Sequence, residues 1–364
     1  MQKAILGACA LLAGVCAVPA MAQSVTIYGL IDSGLVYTNN TNAAGDSLVK
    51  MPGLTGSLPS RIGFRGEEDL GNGLKAFFVL ENGFGPDTGM QGQGNRLFGR
   101  QANIGLKGSW GTLTIGRQNN MTMLSQMKAD VMGPNLFSMS SIDLYIPNAR
   151  SDNAIGYLGV FNGVTLGATY SFGRDASSAG GPAATGCAGE SAASSKACRQ
   201  ITALIGYDGK GYGINASYDK MQGNTGAAAG LTTPDSYDKR VTVNGYAMLG
   251  ATKVGAGWMD RTKRAATPVN DFDSAIYYIG ASHPVAPSLV LDGQVAVHDV
   301  KNSDNDSTLA VLRLTYSLSK RTAVYSSLGH MKNDGAAAIA LDVGGTVGAG
   351  LNQSGIALGL RHAF

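Results

Sequence analysis

From Val25 onward, apolar residues alternate with polar or small ones at a period of two, in segments punctuated by glycine and asparagine. The stretch Ser354–Phe364 shows this most clearly. Ile356, Leu358, Leu360, His362 and Phe364 fall on one side of an extended strand, and Gly355, Ala357, Gly359, Arg361 and Ala363 on the other. One face is apolar with an aromatic rim, and the other is small with a charge, which suits a strand between lipid and a polar interior. The same reading predicts sixteen strands, over 25–37, 61–67, 74–82, 97–107, 112–117, 154–161, 164–172, 201–207, 212–218, 240–249, 253–260, 274–283, 289–298, 308–317, 323–330 and 355–364. Most can cross a bilayer, which takes a tilted strand roughly 9–11 residues.

The connections alternate in length. Short ones at 71–73, 109–111, 162–163, 209–211, 250–251, 286–288 and 319–321 often carry Gly or Asn, as hairpin turns require. Long ones at 40–60, 118–153, 173–199, 221–239 and 332–353 are mostly polar and irregular. An even strand count with short turns at one end and long loops at the other predicts an all-β fold, a 16-stranded antiparallel transmembrane β-barrel. The 118–153 connection is the exception in composition. Met121, Met123, Leu124, Met127, Val131, Met132, Leu136, Phe137 and Met139 make it too apolar for a solvated loop. It reads as a loop folded inward against the barrel wall, the alternative being a cap over the mouth or a contact between protomers.

Glycine, at 52 residues, is about twice its usual share of roughly 7%, and it falls in turns and alternating segments without a collagen period. No run of about 18 apolar residues follows the N-terminus, so no membrane helix is expected. Residues 1–22 read as a cleaved signal peptide, with Lys3 in a positive start, an apolar run from Ala4 to Ala20, and Ala20-Met21-Ala22 as the cleavage motif. A retained anchor is the alternative. Residues 23–364 then form one barrel domain. Without Lys3 the balance is 27 basic against 25 acidic residues, which argues against a nucleic-acid partner. Cys187 and Cys198 fall in one loop and are expected to form a disulfide in an oxidising compartment.

Ser60-Arg-Ile-Gly-Phe-Arg-Gly-Glu-Glu-Asp-Leu-Gly-Asn-Gly-Leu-Lys-Ala-Phe-Phe-Val-Leu-Glu81 resembles the second hairpin of Gram-negative general-diffusion porins. Gly99–Lys107 and Leu113–Gln118 resemble the next, and Phe364 resembles the terminal aromatic that the outer-membrane barrel assembly machinery reads. The likeness covers the whole chain after the leader and is closest to the glycine-rich trimeric porins of β-proteobacteria. It implies a homotrimer in the outer membrane, among lipid and lipopolysaccharide. It also implies a water-filled channel for small hydrophilic solutes and inorganic ions, and a third outer loop (118–153) that narrows the lumen.

The resemblance matches Arg61, Arg117 and Arg150 to the family's basic wall opposite that loop. Alternation adds Arg65, because Ile62 and Phe64 take the lipid side of the second strand. Arg117 shares parity with Leu113 and Ile115, so it reaches the lumen only if the strand departs from regularity at Gly116. Parity is ambiguous at Arg96 and Arg100. The acidic side is thin: Asp130 and Asp143 in the loop, with Asp32 and Glu81 on the wall. Where cation-preferring relatives carry Pro-Glu-Phe-Gly, this chain has Pro134-Asn-Leu-Phe137.

A weak to moderate anion preference is therefore expected. The competing expectation is that Glu67, Glu81 and Asp143 pair with the arginines and leave the channel nearly unselective. A substrate-specific channel, or a barrel whose outer loops serve mainly adhesion, is the second functional reading. The sequence offers no Ser-His-Asp set for an enzyme, no cofactor motif and no metal-ligand cluster. Tyr28, Trp110, Tyr157, Tyr170, Tyr207, Tyr218, Trp258, Tyr277 and Tyr316 are candidates for the interfacial aromatic girdle.

Overall fold

The computed structural model describes residues 25–53, 55–174, 187 and 189–364, and the expected leader at 1–22 lies outside them. All sixteen expected strands are present. They are β1 (Thr26–Thr38), β2 (Arg61–Gly71), β3 (Leu74–Gly83), β4 (Gln101–Gly108), β5 (Gly111–Asn119), β6 (Ala154–Phe161), β7 (Val164–Ser171) and β8 (Gln200–Gly209). The second half is β9 (Tyr212–Gln222), β10 (Tyr237–Leu249), β11 (Thr252–Arg264), β12 (Phe272–Ala286), β13 (Leu289–Val300), β14 (Ser307–Ser317), β15 (Thr322–Asn333) and β16 (Gln353–Ala363).

Each strand pairs antiparallel with its sequence neighbours. β16 returns to β1, from Leu30↔Ala363 to Thr38↔Gly355, while β1 pairs with β2 on its other side. The sheet thus closes and keeps no edge, as a lipid-embedded sheet must, because hydrocarbon cannot satisfy backbone N–H and C=O groups. Phe364 completes the seam: its backbone N–H donates to the Gly29 carbonyl at 3.1 Å and its carbonyl accepts from the Gly29 N–H at 3.1 Å.

The alternation resolves into two faces. Ile31, Ile201, Ile214, Tyr277, Leu328 and Leu358 are exposed, whereas their neighbours Asp32, Thr202, Asn215, Tyr278, Ser327 and Ala357 are buried. Outside is apolar and inside is largely polar, the inverse of a soluble sheet. The main difference from the sequence reading is at β4, which starts at Gln101 and not at Leu97. The preceding residues turn, with Gly92 N–H on the Gly83 carbonyl at 2.7 Å and Arg96 N–H on the Gly92 carbonyl at 3.3 Å. Two short ribbons also flank the wall: Leu48–Lys50 pairs with Val36–Thr38, and Arg150–Ser151 pairs with Gln118 and Asn119.

The long 118–153 connection contains a helix, α1 (Met121–Ala129). Asn120 caps it, its Oδ1 accepting from the N–H groups of Thr122 at 3.1 Å and Met123 at 3.2 Å. The helix bonds to the buried face of the wall. Met121 N–H donates to Thr202 Oγ1 at 3.2 Å, Asn244 Nδ2 to Ser125 Oγ at 2.8 Å, and the Tyr278 hydroxyl to Gln126 Oε1 at 3.0 Å. Beyond it, Met132, Leu136, Phe137 and Met139 join one apolar cluster with Met259, Ile276, Val311, Met331 and Leu341.

Phe137 shows how the wall accepts this segment. Gly329 and Gly355 face each other across β15 and β16, and a Cβ at either would sit 3.1 or 3.0 Å from the Phe137 ring. Paired glycines leave a notch, and the ring fills it. Burial of a side chain of that size contributes roughly 1.5–3 kcal/mol. Met132, Leu136, Phe137 and Met139, which looked anomalous in the sequence, have apolar partners here, whereas Met127 is exposed.

Cys187 and Cys198 are disulfide-bonded, with Cα atoms 5.3 Å apart. The bridge staples the connection after β7, and Ala227 and Leu231 of the connection after β9 pack beside it.

Candidate functional site

Barrel closure brings residues from four separate stretches to one patch of the inner wall. Arg61 opens β2 directly opposite Gly83 at the end of β3, two residues from Glu81. Glu81 accepts two hydrogen bonds and has a longer ion pair. Arg100 Nε lies 2.6 Å from Oε1, the Tyr28 hydroxyl donates to Oε2 at 3.0 Å, and Arg61 Nε stands 3.8 Å from Oε2. Tyr28, a girdle candidate, thus turns inward instead. Arg61 Nη1 also donates to the Pro59 carbonyl at 3.0 Å.

Arg117 and Arg150 arrive from the two ends of the long connection. Gly116 has φ +111°, a backbone conformation that other residues rarely adopt, and the strand's regularity breaks there. Arg117 then ion-pairs with Asp152, and its Nε donates to the Gly99 carbonyl at 2.7 Å. Asp152 also receives Arg96 Nη2 at 3.4 Å. Arg150 is held by the ribbon with Asn119 and is only 2% exposed. Its Nη1 donates to the Pro147 carbonyl at 3.2 Å, while Nε and Nη2 meet no acceptor among the described residues. The charged groups that act on it are Arg100, Arg117, Glu81 and Arg61.

The structure therefore brings Arg61, Arg117 and Arg150 together and adds Arg100, with Glu81 among them. Arg65 is elsewhere. It lies four residues further along β2, roughly 13 Å at about 3.3 Å per residue, with its guanidinium 5.2 Å from the Tyr28 ring centroid. Glu67 pairs with Lys75 at 2.7 Å and with Lys107, near the short turn.

The remaining acids serve as anchors. Asp32 is buried and accepts from Ser57 Oγ at 2.6 Å, Leu58 N–H at 2.8 Å and the Tyr325 hydroxyl at 2.7 Å. It pins the 55–60 stretch to the wall. Asp130, just past α1, accepts from Gln294 Nε2 at 2.8 Å and Met132 N–H at 3.0 Å; burial pushes its carboxyl up against those bonds. Asp143 faces Arg240, with Nε at 2.7 Å and Nη2 at 3.2 Å. Burial alone would raise this carboxyl, but the guanidinium of Arg240, backed by Arg261, holds it well below the usual range.

Around that pair lies a second buried network. The Tyr145 ring carries two guanidiniums, with Arg240 4.4 Å and Arg174 4.8 Å from its centroid. Its hydroxyl donates to Asp219 Oδ2 at 2.5 Å, and Gln200 Nε2 donates to Asp219 Oδ1 at 2.8 Å. Arg240 has a second carboxylate too, Asp238, at 3.2 Å. This patch clamps the 143–145 stretch to β8–β10.

Arg100 and Asp152 are the contributors that sequence reasoning did not place. The early end of the turn before β4 decides where Arg100 points, and its only sequence signal is the dense Arg96-Leu-Phe-Gly-Arg100. Nothing local marks Asp152, whose partner Arg117 is 35 residues away.

Comparison with known proteins places this geometry. The profile of a family described as Gram-negative porin matches residues 8–336. The chain is 32% identical to outer membrane porin protein 32 of Delftia acidovorans, over 95% of each chain. It is also 32% identical to an outer membrane porin protein of Bordetella pertussis, over 92% of this chain and 95% of that one. A solved structure described as an anion-selective porin from Comamonas acidovorans superposes with a TM-score of 0.78 at 27% identity, covering 94% of this chain and all of that one.

Proposed function

Since the chain belongs to the Gram-negative porin family, we propose that its channel favours anions and that the 118–153 connection sets the narrowest part of the path. The protein is an outer-membrane channel, not an enzyme, and sixteen strands enclose an interior too wide for wall side chains to fill. Small hydrophilic solutes and inorganic ions pass by diffusion. The selectivity reading rests on one observation: Arg61, Arg100 and Arg150 gather around a single carboxylate, that of Glu81. The anion-selective description of the Comamonas porin agrees with it.

The magnitude fits a filter and not a trap. One unit charge about 8 Å from a passing ion contributes roughly 0.5 kcal/mol in a water-like dielectric. A net excess of two gives about 1 kcal/mol, or roughly fivefold, before screening over a Debye length of about 8 Å. Anchoring supports the constriction reading, because α1 and the Phe137 notch hold the connection against the inner face. The assembly partners follow the family: a homotrimer, surrounded by outer-membrane lipid and lipopolysaccharide, inserted by the barrel assembly machinery through β16 and Phe364.

Zero-current potentials of reconstituted channels in unequal KCl test this directly. A chloride-over-potassium permeability ratio of about fivefold at low salt, shrinking as salt rises, is expected. A ratio favouring potassium overturns the proposal.

A further inference from the structure

Around the outside of the barrel, at the end carrying the long connections, three cations stand in a row on neighbouring strands. Lys220 on β9 is paired directly with Lys239 on β10, and Lys220 also pairs with Ile201 on β8, two residues past Arg199. Their positions share parity with exposed Ile201, Ile205, Ile214, Tyr218 and Val243, so all three belong to the lipid-facing surface. The interleaved residues Gln200, Asp219 and Arg240 are buried on the inner side.

Like charges directly opposite each other across two strands are destabilising unless something compensates them. The carboxylate that acts on Lys239, Asp273, does so at longer range and is itself paired with Arg264. Among the described residues neither Lys220 nor Lys239 has an ion pair, and the nearby rim acids are already taken. Asp235 pairs with Lys196 at 3.0 Å, Asp273 with Arg264 at 2.6 Å, and Asp260 with Lys301 at 2.5 Å. Aromatic rings hold two of the cations in place. Lys220 Nζ is 4.4 Å from the Tyr237 centroid, and the Arg199 guanidinium is 4.9 Å from Tyr170 and 5.6 Å from Phe172. Arg199 Nε is buried without an acceptor.

Below the row, the same outward lines of side chains run into an apolar groove of about 1030 Å³. Ile214 and Gly245, which are paired across β9 and β10, form its floor with Ala256, and Val243, Trp258 and Ile279 flank it. Strands about 4.8 Å apart spread the three cations over roughly 10 Å, which suits two phosphates on one headgroup. Basic groups at the boundary with an acyl-sized groove beneath define an anionic lipid, and the long-loop end faces the outer leaflet.

We propose that Arg199, Lys220 and Lys239 bind the phosphates of an outer-leaflet glycolipid whose acyl chain lies in the groove over β9–β12. This rests on the reading of the protein as an outer-membrane porin surrounded by lipopolysaccharide, and it assigns that lipid a place. The test uses full-length protein, with diphosphoryl lipid A and its dephosphorylated form as probes. Lys220→Gln with Lys239→Gln should weaken binding of the phosphorylated lipid about twenty-five-fold, roughly fivefold per lysine. The dephosphorylated lipid should bind both proteins weakly and equally.

Lys220→Arg with Lys239→Arg, which keeps the charge, should retain binding. Equal affinity of wild type and the glutamine variant overturns the assignment, as does equal affinity of wild type for the two lipids. So does a change of oligomeric state without loss of lipid, which would give the row to a second copy of the chain. Channel conductance of the same samples separates this outcome from failure of the porin reading, which would appear as no conductance at all.

Discussion

Arg150 and Arg240 are each 2% exposed, yet their surroundings are opposites. Arg240 faces Asp143 through two hydrogen bonds, has Asp238 at 3.2 Å and lies on the Tyr145 ring. Arg150 donates to one carbonyl and is surrounded by further arginines, sharing Glu81 with Arg61 and Arg100. Removing a charge from water costs several kcal/mol, and only a matched partner offsets it. The Arg240 patch meets that requirement inside the protein and acts as a clamp. The Arg150 patch does not, and the proposed anion preference rests on that imbalance. Buried arginine alone says little about selectivity; the carboxylates beside it decide.

The contrast can be broken deliberately. Asp143→Ala would leave Arg240 with Asp238 as its one ion-pair partner, at a cost of about 3 kcal/mol, read as a lowered midpoint of heat modification together with noisier single-channel current. An unchanged midpoint would mean that the clamp carries no stability. A smaller effect is expected from Glu81→Gln, which removes one carboxylate from the basic patch. The chloride-over-potassium ratio should then rise about twofold at low salt, the effect of one charge about 8 Å away.

The smallest effect is predicted for acid. Asp143 has a depressed folded-state pKa, so its stabilising contribution is present above the ordinary carboxyl range and is lost only as pH falls through the depressed value. Asp130 has the opposite shift: its folded pKa is raised, so protonation relieves its burial cost as pH falls. Neither loosens the inserted segment between pH 7 and about 4.5, and the heat-modification midpoint of the wild type should stay nearly constant across that interval. A steep fall would place the controlling carboxylate elsewhere.

Most of the wall was legible in the sequence because a lipid-facing strand repeats every two residues, and Gly or Asn marks many of its turns. Gly355 to Phe364 could be assigned without any knowledge of its partner. The charge patch was legible only in part. Arg117 demanded a break at Gly116, which the backbone provides with φ +111°. Arg100 was hidden because the strand begins one residue after it and not three residues before. Asp32 and Asp130 looked like lumen acids, but each is a hub for hydrogen bonds from remote stretches, Tyr325 and Gln294 among them. Likewise, nothing near Asp143 announces Arg240, 97 residues away. Periodicity is local information, whereas ion pairing inside a barrel depends on which strands closure places side by side.

The central claim is that the patch around Arg150, and not the total number of arginines, sets the preference for anions. Zero-current potential across a KCl gradient, measured for wild type and for Arg61→Gln with Arg150→Gln, tests it most directly. The account predicts an anion-favouring wild type, and a double variant whose permeability ratio falls about fivefold, close to unity. A double variant as anion-selective as the wild type would contradict it.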